Sequence, residues 1–302
     1  MNRRTFLSFG ALPLLARPLD SSRISVITDE CGLSPEESIA FARQYGLGWV
    51  ELRAVPGLKQ GPREYFRQSE SVQLAAAKAL KDAGLRVSFL NTGLLKHWLP
   101  GTEIVWRGTP EQQAKRRESE QKRFDDRFAD LKLAIRCAEI FEVPKLRVFA
   151  FTRAADPLKI YPEIVNYLEE MAAEAKPKGI QLLLENEASQ NVGFTAELAA
   201  IFKLVNAPNL GINWDPVNGL ASGSEYPAGY ALLPKARIWN VQIKARALVI
   251  GPDFLDWKGI FTSLDRDGYA GQIGLETHVF DGTLIEKAHL SMKKIQELVG
   301  KV

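Results

Sequence analysis

Cysteine, histidine and methionine are scarce in this chain: two, three and three among 302 residues. Two cysteines cannot make a disulfide framework. Cys31 follows the first strand-like run and Cys137 falls mid-helix, so a bridge between them finds no suitable geometry and both read as free thiols. Long apolar runs are missing too, since Phe6–Ala16 falls short of the ~20 residues that span a bilayer. A formal charge of +3, spread along the chain, gives no support to a nucleic-acid partner. The one basic cluster, Lys115–Arg117 with Arg123 and Arg127, is interleaved with Glu118, Glu120, Asp125 and Asp126 and reads as a solvated helix face. No G-x-G-x-x-G or P-loop turn follows a strand, which removes the usual signature of a doubly wound sheet.

What is present begins with Asn2-Arg3-Arg4-Thr5-Phe6-Leu7, which resembles a twin-arginine export signal. Residues 1–22 are therefore expected to be a signal peptide and residues 23–302 one folded domain, periplasmic or otherwise exported, with no stable membrane span. Leu14-Leu15-Ala16 offers one small residue where a cleavage site prefers two, so an uncleaved, lipid-tethered or cytoplasmic product is the alternative.

Beyond Arg23 the pattern alternates strand and helix eight times. Ile24–Thr28, Trp49–Leu52, Arg86–Leu90 and Leu146–Phe151 are the first four expected strands. Ile180–Leu184, Leu210–Trp214, Ile238–Val241 and Gln272–Leu275 are the last four. Ser34 with Pro35 and Glu37 opens the first helix as a capping box. One helix is expected to carry Phe124, Phe128, Leu131, Ile135 and Ala138, and a short one to cover Ala228–Leu233. Nearly all-apolar strands separated by helices indicate a parallel sheet covered on its outside. Eight such units close as a single (β/α)8 barrel, an α/β fold, and the chemistry of such barrels sits at the C-terminal ends of the strands.

The last four strands each run into a group able to hold a cation: Glu185, Asp215, Gln242 and Glu276. Three carboxylates brought together away from water repel and raise one another's pKa, and a divalent cation removes that cost. Oxygen donors favour Mn2+ or Mg2+. Isolated salt bridges, to Lys244 or Arg147 for example, are the competing explanation for any one of these acids.

Glu185-Asn186-Glu187, Asn213-Trp214-Asp215-Pro216-Val217-Asn218, Val241-Gln242-Ile243-Lys244 and Leu275-Glu276-Thr277-His278 resemble the motifs of the xylose isomerase-like TIM-barrel superfamily. That group includes sugar epimerases related to D-tagatose 3-epimerase, inosose dehydratases and endonuclease IV. Asp29-Glu30, Glu51-Leu52-Arg53 and Arg147-Val148-Phe149 are similar to its bacterial sugar isomerase/epimerase-like members. The resemblance implies a Glu/Asp/His/Glu metal site at Glu185, Asp215, the Gln242 position and Glu276, with Glu185 and Glu276 also exchanging protons with substrate. The chain departs from the pattern where Gln242 and Asn218 replace usual histidines and Ala245 replaces a usual aspartate. Three histidines do not supply the three-zinc site of the nuclease branch.

The implied function is a metal-dependent isomerase or epimerase working through an enediolate on a keto-sugar or related polyol. A dehydratase or lyase on the same intermediate, and a carbohydrate-binding barrel with a weakened metal site, are the alternatives. Lys244, His278, Arg53, Arg147, Asn218 and Trp98 are candidate substrate contacts, with Glu51 and Arg153 also considered. The connection Asn91–Pro110, with His97, Trp98 and Trp106, is long enough to serve as a lid. His289 reads as a surface residue. The partner is expected to be a small carbohydrate without phosphate, and homo-oligomers are left open.

Overall fold

A computed structural model describes residues 19–104, 109–251 and 255–300. The arginine pair and apolar stretch of the expected export signal, and Trp106, lie outside the described residues. Packing begins ahead of Arg23: Leu19 is buried, and its N–H donates to Asp265 Oδ1 at 2.7 Å.

Eight parallel strands run β1 (Ile24–Val26), β2 (Trp49–Leu52), β3 (Arg86–Leu94), β4 (Lys145–Val148), β5 (Gln181–Glu185), β6 (Leu210–Trp214), β7 (Ile238–Lys244) and β8 (Gln272–Glu276). Each pairs with its sequence neighbours, β1 pairs with β8, and the bridge Ile27↔Glu51 joins the first two strands, so the sheet closes. The helices α1 (Pro35–Gln44), α2 (Glu70–Asp82), α3 (Pro110–Asp125), α4 (Arg127–Ile140), α5 (Tyr161–Ala175), α6 (Thr195–Ile201), α7 (Tyr230–Leu232) and α8 (Trp257–Arg266) lie between successive strands, and α9 (Leu284–Val299) follows β8. The apolar core is the shell between strands and helices. There Leu131 and Ala138 of α4, Ile164 and Leu168 of α5, and Met292 and Ile295 of α9 are buried. A fully buried side chain of this kind contributes about 1.5–3 kcal/mol.

Local sequence accounts for several boundaries. Ser34 Oγ accepts the Glu37 N–H at 3.2 Å, and Pro35 fills the first helical position. The Glu37 carboxylate accepts from Leu33 N rather than from Ser34 N, so the reciprocal bond sits one residue earlier than expected. β3 continues four residues past Leu90, because Asn91 and Thr92 find partners across the sheet in Glu51 and the Arg147 carbonyl. The single helix expected around Phe124 is two, breaking at Asp126. α3 has no buried residue, whereas α4 buries Leu131, Ala134, Ile135, Cys137 and Ala138. Only the second half of that stretch has an apolar face to lay on the sheet. β4 stops at Val148, and the helix expected over Ala228–Leu233 shortens to α7 behind a π turn at Glu225–Gly229.

Both cysteines are buried and free. Burial pushes the Cys137 thiol up to about 12, which leaves it inert as a nucleophile. His289 is not a plain surface residue: its Nδ1 lies 2.8 Å from Tyr45 Oη, and its ring packs on Phe41.

His97 is 4% exposed, with its Nδ1–H on the Trp98 carbonyl at 2.9 Å and its Nε2 without a partner against Phe124 and Phe151. Burial holds its pKa below the ordinary value of 6.5. The unfolded chain therefore takes up this proton first, so the His97 contribution is complete above about pH 6.5 and is lost as pH falls through the folded value. A urea midpoint measured from pH 7.5 down to 5 should show a steeper acid loss in the native protein than in His97→Leu. Identical slopes would remove His97 from the acid response.

Candidate active site

The carboxylates expected at the strand ends do meet. Glu185 closes β5, Asp215 follows β6 and Glu276 closes β8, all nearly or fully buried, and one ligand oxygen of each lies within 4.8 Å of the others. Parallel register explains this, because side chains at equal heights on neighbouring strands face a common axis.

Asp215 is held from its own loop. Oδ1 accepts the N–H groups of Val217 and Asn218 at 2.8 and 2.9 Å, which is the turn geometry that a strand-end Asp followed by proline and two more residues supports. Glu185 Oε2 accepts from Arg147 Nη1 at 3.1 Å and Asn213 Nδ2 at 2.5 Å, and its Oε1 faces Asn218 Nδ2 at 3.4 Å. Glu276 Oε1 accepts from Arg53 Nη1 at 2.8 Å and lies 3.5 Å from His278 Nδ1.

Lys244, at the end of β7, stands among these acids. Its Nζ is 2.9 Å from Asp215 Oδ2, 3.4 Å from Glu276 Oε2, and donates to Asn218 Oδ1 at 2.5 Å. Either a substrate contact or support for an acid was expected of this residue, and it supports Asp215 and Glu276. Burial works against its charge, yet Asp215, Glu276 and Glu185 hold its proton far above the ordinary lysine range. Burial raises Glu185 against the pull of Arg147, and raises Asp215 against Lys244. Burial would raise Glu276 as well, but Lys244, His278 and Arg53 together hold it well below the usual carboxylate range.

Gln242, the fourth expected ligand, is anchored through its amide nitrogen. Its Nε2 donates to Glu51 Oε2 at 2.6 Å, directed to the barrel interior, and its Oε1 is buried without a partner. Arg53 and Arg147, expected as substrate contacts, are engaged by protein groups. Arg53 pairs with Asp29, Glu30 and Glu276 at 2.8, 2.6 and 2.8 Å. Arg147 is buried and also donates to the Thr92 and Asn91 carbonyls. Arg153 pairs with Glu197, and Trp98 directs its indole N–H to the Thr102 carbonyl within its own connection. Glu187 pairs with Lys96. His278 remains half-exposed at the mouth, in a left-handed conformation with φ 54°. Leu95, Phe151 and Ala247 share that unfavourable conformation in loops after β3, β4 and β7. Such strain costs of order 1–3 kcal/mol each and gathers at sites that work.

Sequence reasoning passed over the layer beneath the acids. Ser25, Asn91, Asn213 and Asn240 are buried and hydrogen-bonded to Glu51 or to one another. The polar alternation Asn240-x-Gln242-x-Lys244 on β7 was the available signal: period two in a buried strand marks a polar inner face.

The donor set fits a divalent cation. Asp215 Oδ2 and Glu276 Oε2 are buried with Lys244 Nζ as their cationic partner, Gln242 Oε1 is buried without a hydrogen bond, and all the candidate ligands are oxygens. Asp29, Glu30, Glu185, Asp215 and Glu276 also outnumber Arg53, Arg147 and Lys244, five acids to three cations.

A closed parallel barrel with an acid cluster at its C-terminal mouth defines the class. The model for the xylose isomerase-like TIM barrel matches residues 39–295, and the chain belongs to that family. Among solved structures it resembles the IOLI protein with a bound zinc atom, at 15% identity over 92% of this chain and 98% of that one, with a TM-score of 0.68. L-ribulose 3-epimerase follows at 19% identity, 93% and 94% coverage and TM-score 0.62. The probable 3-DHS dehydratase AsbF of Bacillus anthracis gives 16% identity, 90% and 98% coverage and TM-score 0.61. At these identities the likeness shows the shared fold. No curated protein matches the sequence.

Lys244→Met keeps the side-chain volume and removes the ammonium, leaving Asp215 and Glu276 facing each other in a buried site. Breaking a buried ion pair from one side costs about 3–5 kcal/mol. Urea denaturation of the metal-free protein should show a loss of that order, and an unchanged midpoint would mean that Lys244 does not compensate these acids.

Proposed function

We propose that this chain is a divalent-metal-dependent sugar isomerase or epimerase that moves a proton through an enediolate on a keto-sugar or related polyol. The observation that carries the reading is the approach of Glu185, Asp215 and Glu276 within 4.8 Å at the barrel mouth, beside the unpartnered Oε1 of Gln242. Glu185, Asp215, Gln242 and Glu276 would hold Mn2+ or Mg2+, which supplies Lewis acidity to a substrate carbonyl and the hydroxyl beside it.

Glu185 and Glu276 come from β5 and β8, so they approach the substrate carbon from two sides. One carboxylate takes the proton and the other returns it, which inverts the centre. Asn213 and Arg147 orient Glu185, while Arg53 orients Glu276. His278, beside Glu276 and open to solvent, is placed to hydrogen-bond a substrate hydroxyl. The twin-arginine resemblance supports action outside the cytoplasm, on whatever keto-sugar is found there.

A second reading, a barrel that binds carbohydrate without metal, draws on Lys244, whose ammonium already compensates Asp215 and Glu276.

Metal-stripped protein should gain thermal stability on addition of Mn2+, and solvent deuterium should enter a turned-over keto-sugar. Glu185→Gln and Glu276→Gln should each slow exchange by ~100-fold or more with the fold intact by circular dichroism. No Mn2+ shift and no exchange would favour the binding module, and loss of water from the product would select a dehydratase. Full exchange in Glu276→Gln would overturn the acid/base assignment.

A further inference from the structure

Glu51 is a fully enclosed acid of the barrel interior, and the reading above gives it no task. It is 0% exposed, and no salt bridge to it is found among the described residues. Its carboxylate reaches from β2 across to β8, into the space above Gly274. A Cβ on that glycine would strike the carboxylate, so the missing side chain is what admits Glu51 there. Gly274 is also the residue that pairs with Gln242 in the β7–β8 register. Glu51 therefore lies directly beneath one candidate ligand.

Four donors fill the carboxylate. Oε2 accepts from Gln242 Nε2 at 2.6 Å and Asn91 Nδ2 at 2.8 Å, and Oε1 accepts from Ser25 Oγ at 2.9 Å and Asn240 Nδ2 at 3.3 Å. The three carboxamides behave alike. Each turns its nitrogen to Glu51, and Asn91 Oδ1, Asn240 Oδ1 and Gln242 Oε1 are all buried without a partner. The carboxylate accepts at all four contacts, so it imposes this polarity on every amide around it. The effect extends one bond further. Asn240 Nδ2 also donates to Asn213 Oδ1 at 3.0 Å, which commits Asn213 Nδ2 to Glu185 Oε2 at 2.5 Å.

We propose that Glu51 is a positioning residue that sets which atoms the site presents to a divalent cation, holding Gln242 with Oε1 as its only free donor and orienting Glu185 through Asn240 and Asn213. This inference rests on the metal reading given above. Without an acceptor-only partner, the Gln242 amide has no reason to prefer oxygen over nitrogen as its outward atom, and an amide nitrogen does not ligate a hard cation.

Isothermal titration of metal-stripped protein with Mn2+ tests it. Glu51→Gln preserves shape and removes the acceptor-only character, so Mn2+ affinity should fall about 10–100-fold, the usual cost of losing a group that orients a ligand. The urea midpoint of the metal-free variant should hold or rise, because a buried charge is gone. The double variant Glu51→Gln with Gln242→Glu reverses donor and acceptor across the same contact and should restore binding; the readout a merely structural role would not give is loss of Mn2+ affinity in Glu51→Gln with the urea midpoint held. Native affinity in Glu51→Gln overturns the positioning role and leaves the metal site standing. No Mn2+ binding by the native protein overturns the metal site and this inference together. Should Glu51→Gln alone fail to fold, a folded double variant that binds Mn2+ supports the proposal and one that binds none overturns it.

Discussion

Taking a carboxylate out of water costs several kcal/mol unless a cation or a set of donors replaces its hydration, and the mouth of this barrel does so to five of them at once. The arrangement of the other side chains follows from that constraint. Arg53 divides its guanidinium among Asp29, Glu30 and Glu276, Arg147 serves Glu185, and Lys244 sits between Asp215 and Glu276. Five acids share three cations, and burial raises Glu30, Glu185 and Asp215 above the ordinary carboxylate range. A barrel with so many acids at its mouth is held together from elsewhere, chiefly by the apolar shell between strands and helices.

Barrels of this architecture usually fill their interiors with branched apolar side chains. Here the layer below the acids is polar, built from Ser25, Glu51, Asn91, Asn213 and Asn240. Such a layer is worth having only if nearly every group is satisfied, since a half-satisfied network is costlier than an apolar one. The bare amide oxygens of Asn91, Asn240 and Gln242 are the exceptions, and they share one cause in the acceptor at the centre. A polar floor also transmits orientation, because each amide has a donor end and an acceptor end and its neighbour must match.

The barrel and the heights of Glu185, Asp215, Gln242 and Glu276 were legible because strand spacing and period-two alternation are local properties. What spacing cannot convey is reach around the barrel. Gln242 and Glu51 are separated by 191 residues, and Arg53 and Glu276 by 223, so nothing near either member announces the pairing. Spacing therefore did not show that the donors of Arg53 and Arg147 are engaged by protein groups, or that the Gln242 amide nitrogen is tied to Glu51. Strand ends were misjudged for a related reason. Asn91 and Thr92 look like loop residues, yet cross-sheet partners keep them in β3. The break between α3 and α4 was missed because Phe124 and Phe128 keep helical spacing across it, their rings both lying under Arg127.

Three departures from the family pattern can be understood together. An imidazole at position 242 would offer an N–H to one side and a lone pair to the other. The Gln242 amide keeps that polarity, giving its N–H to Glu51 and leaving Oε1 free, while exchanging a nitrogen donor for a harder oxygen. Asn218 likewise keeps both functions of a polar ring: its Oδ1 accepts the Lys244 ammonium, and its Nδ2 donates to the Asn186 carbonyl at 2.9 Å. Ala245, fully buried, removes a carboxylate from a mouth that already has more acids than cations. Each change lowers the charge or softness of the site without breaking the hydrogen-bond direction that runs through it. The candidate ligands that result are all oxygens.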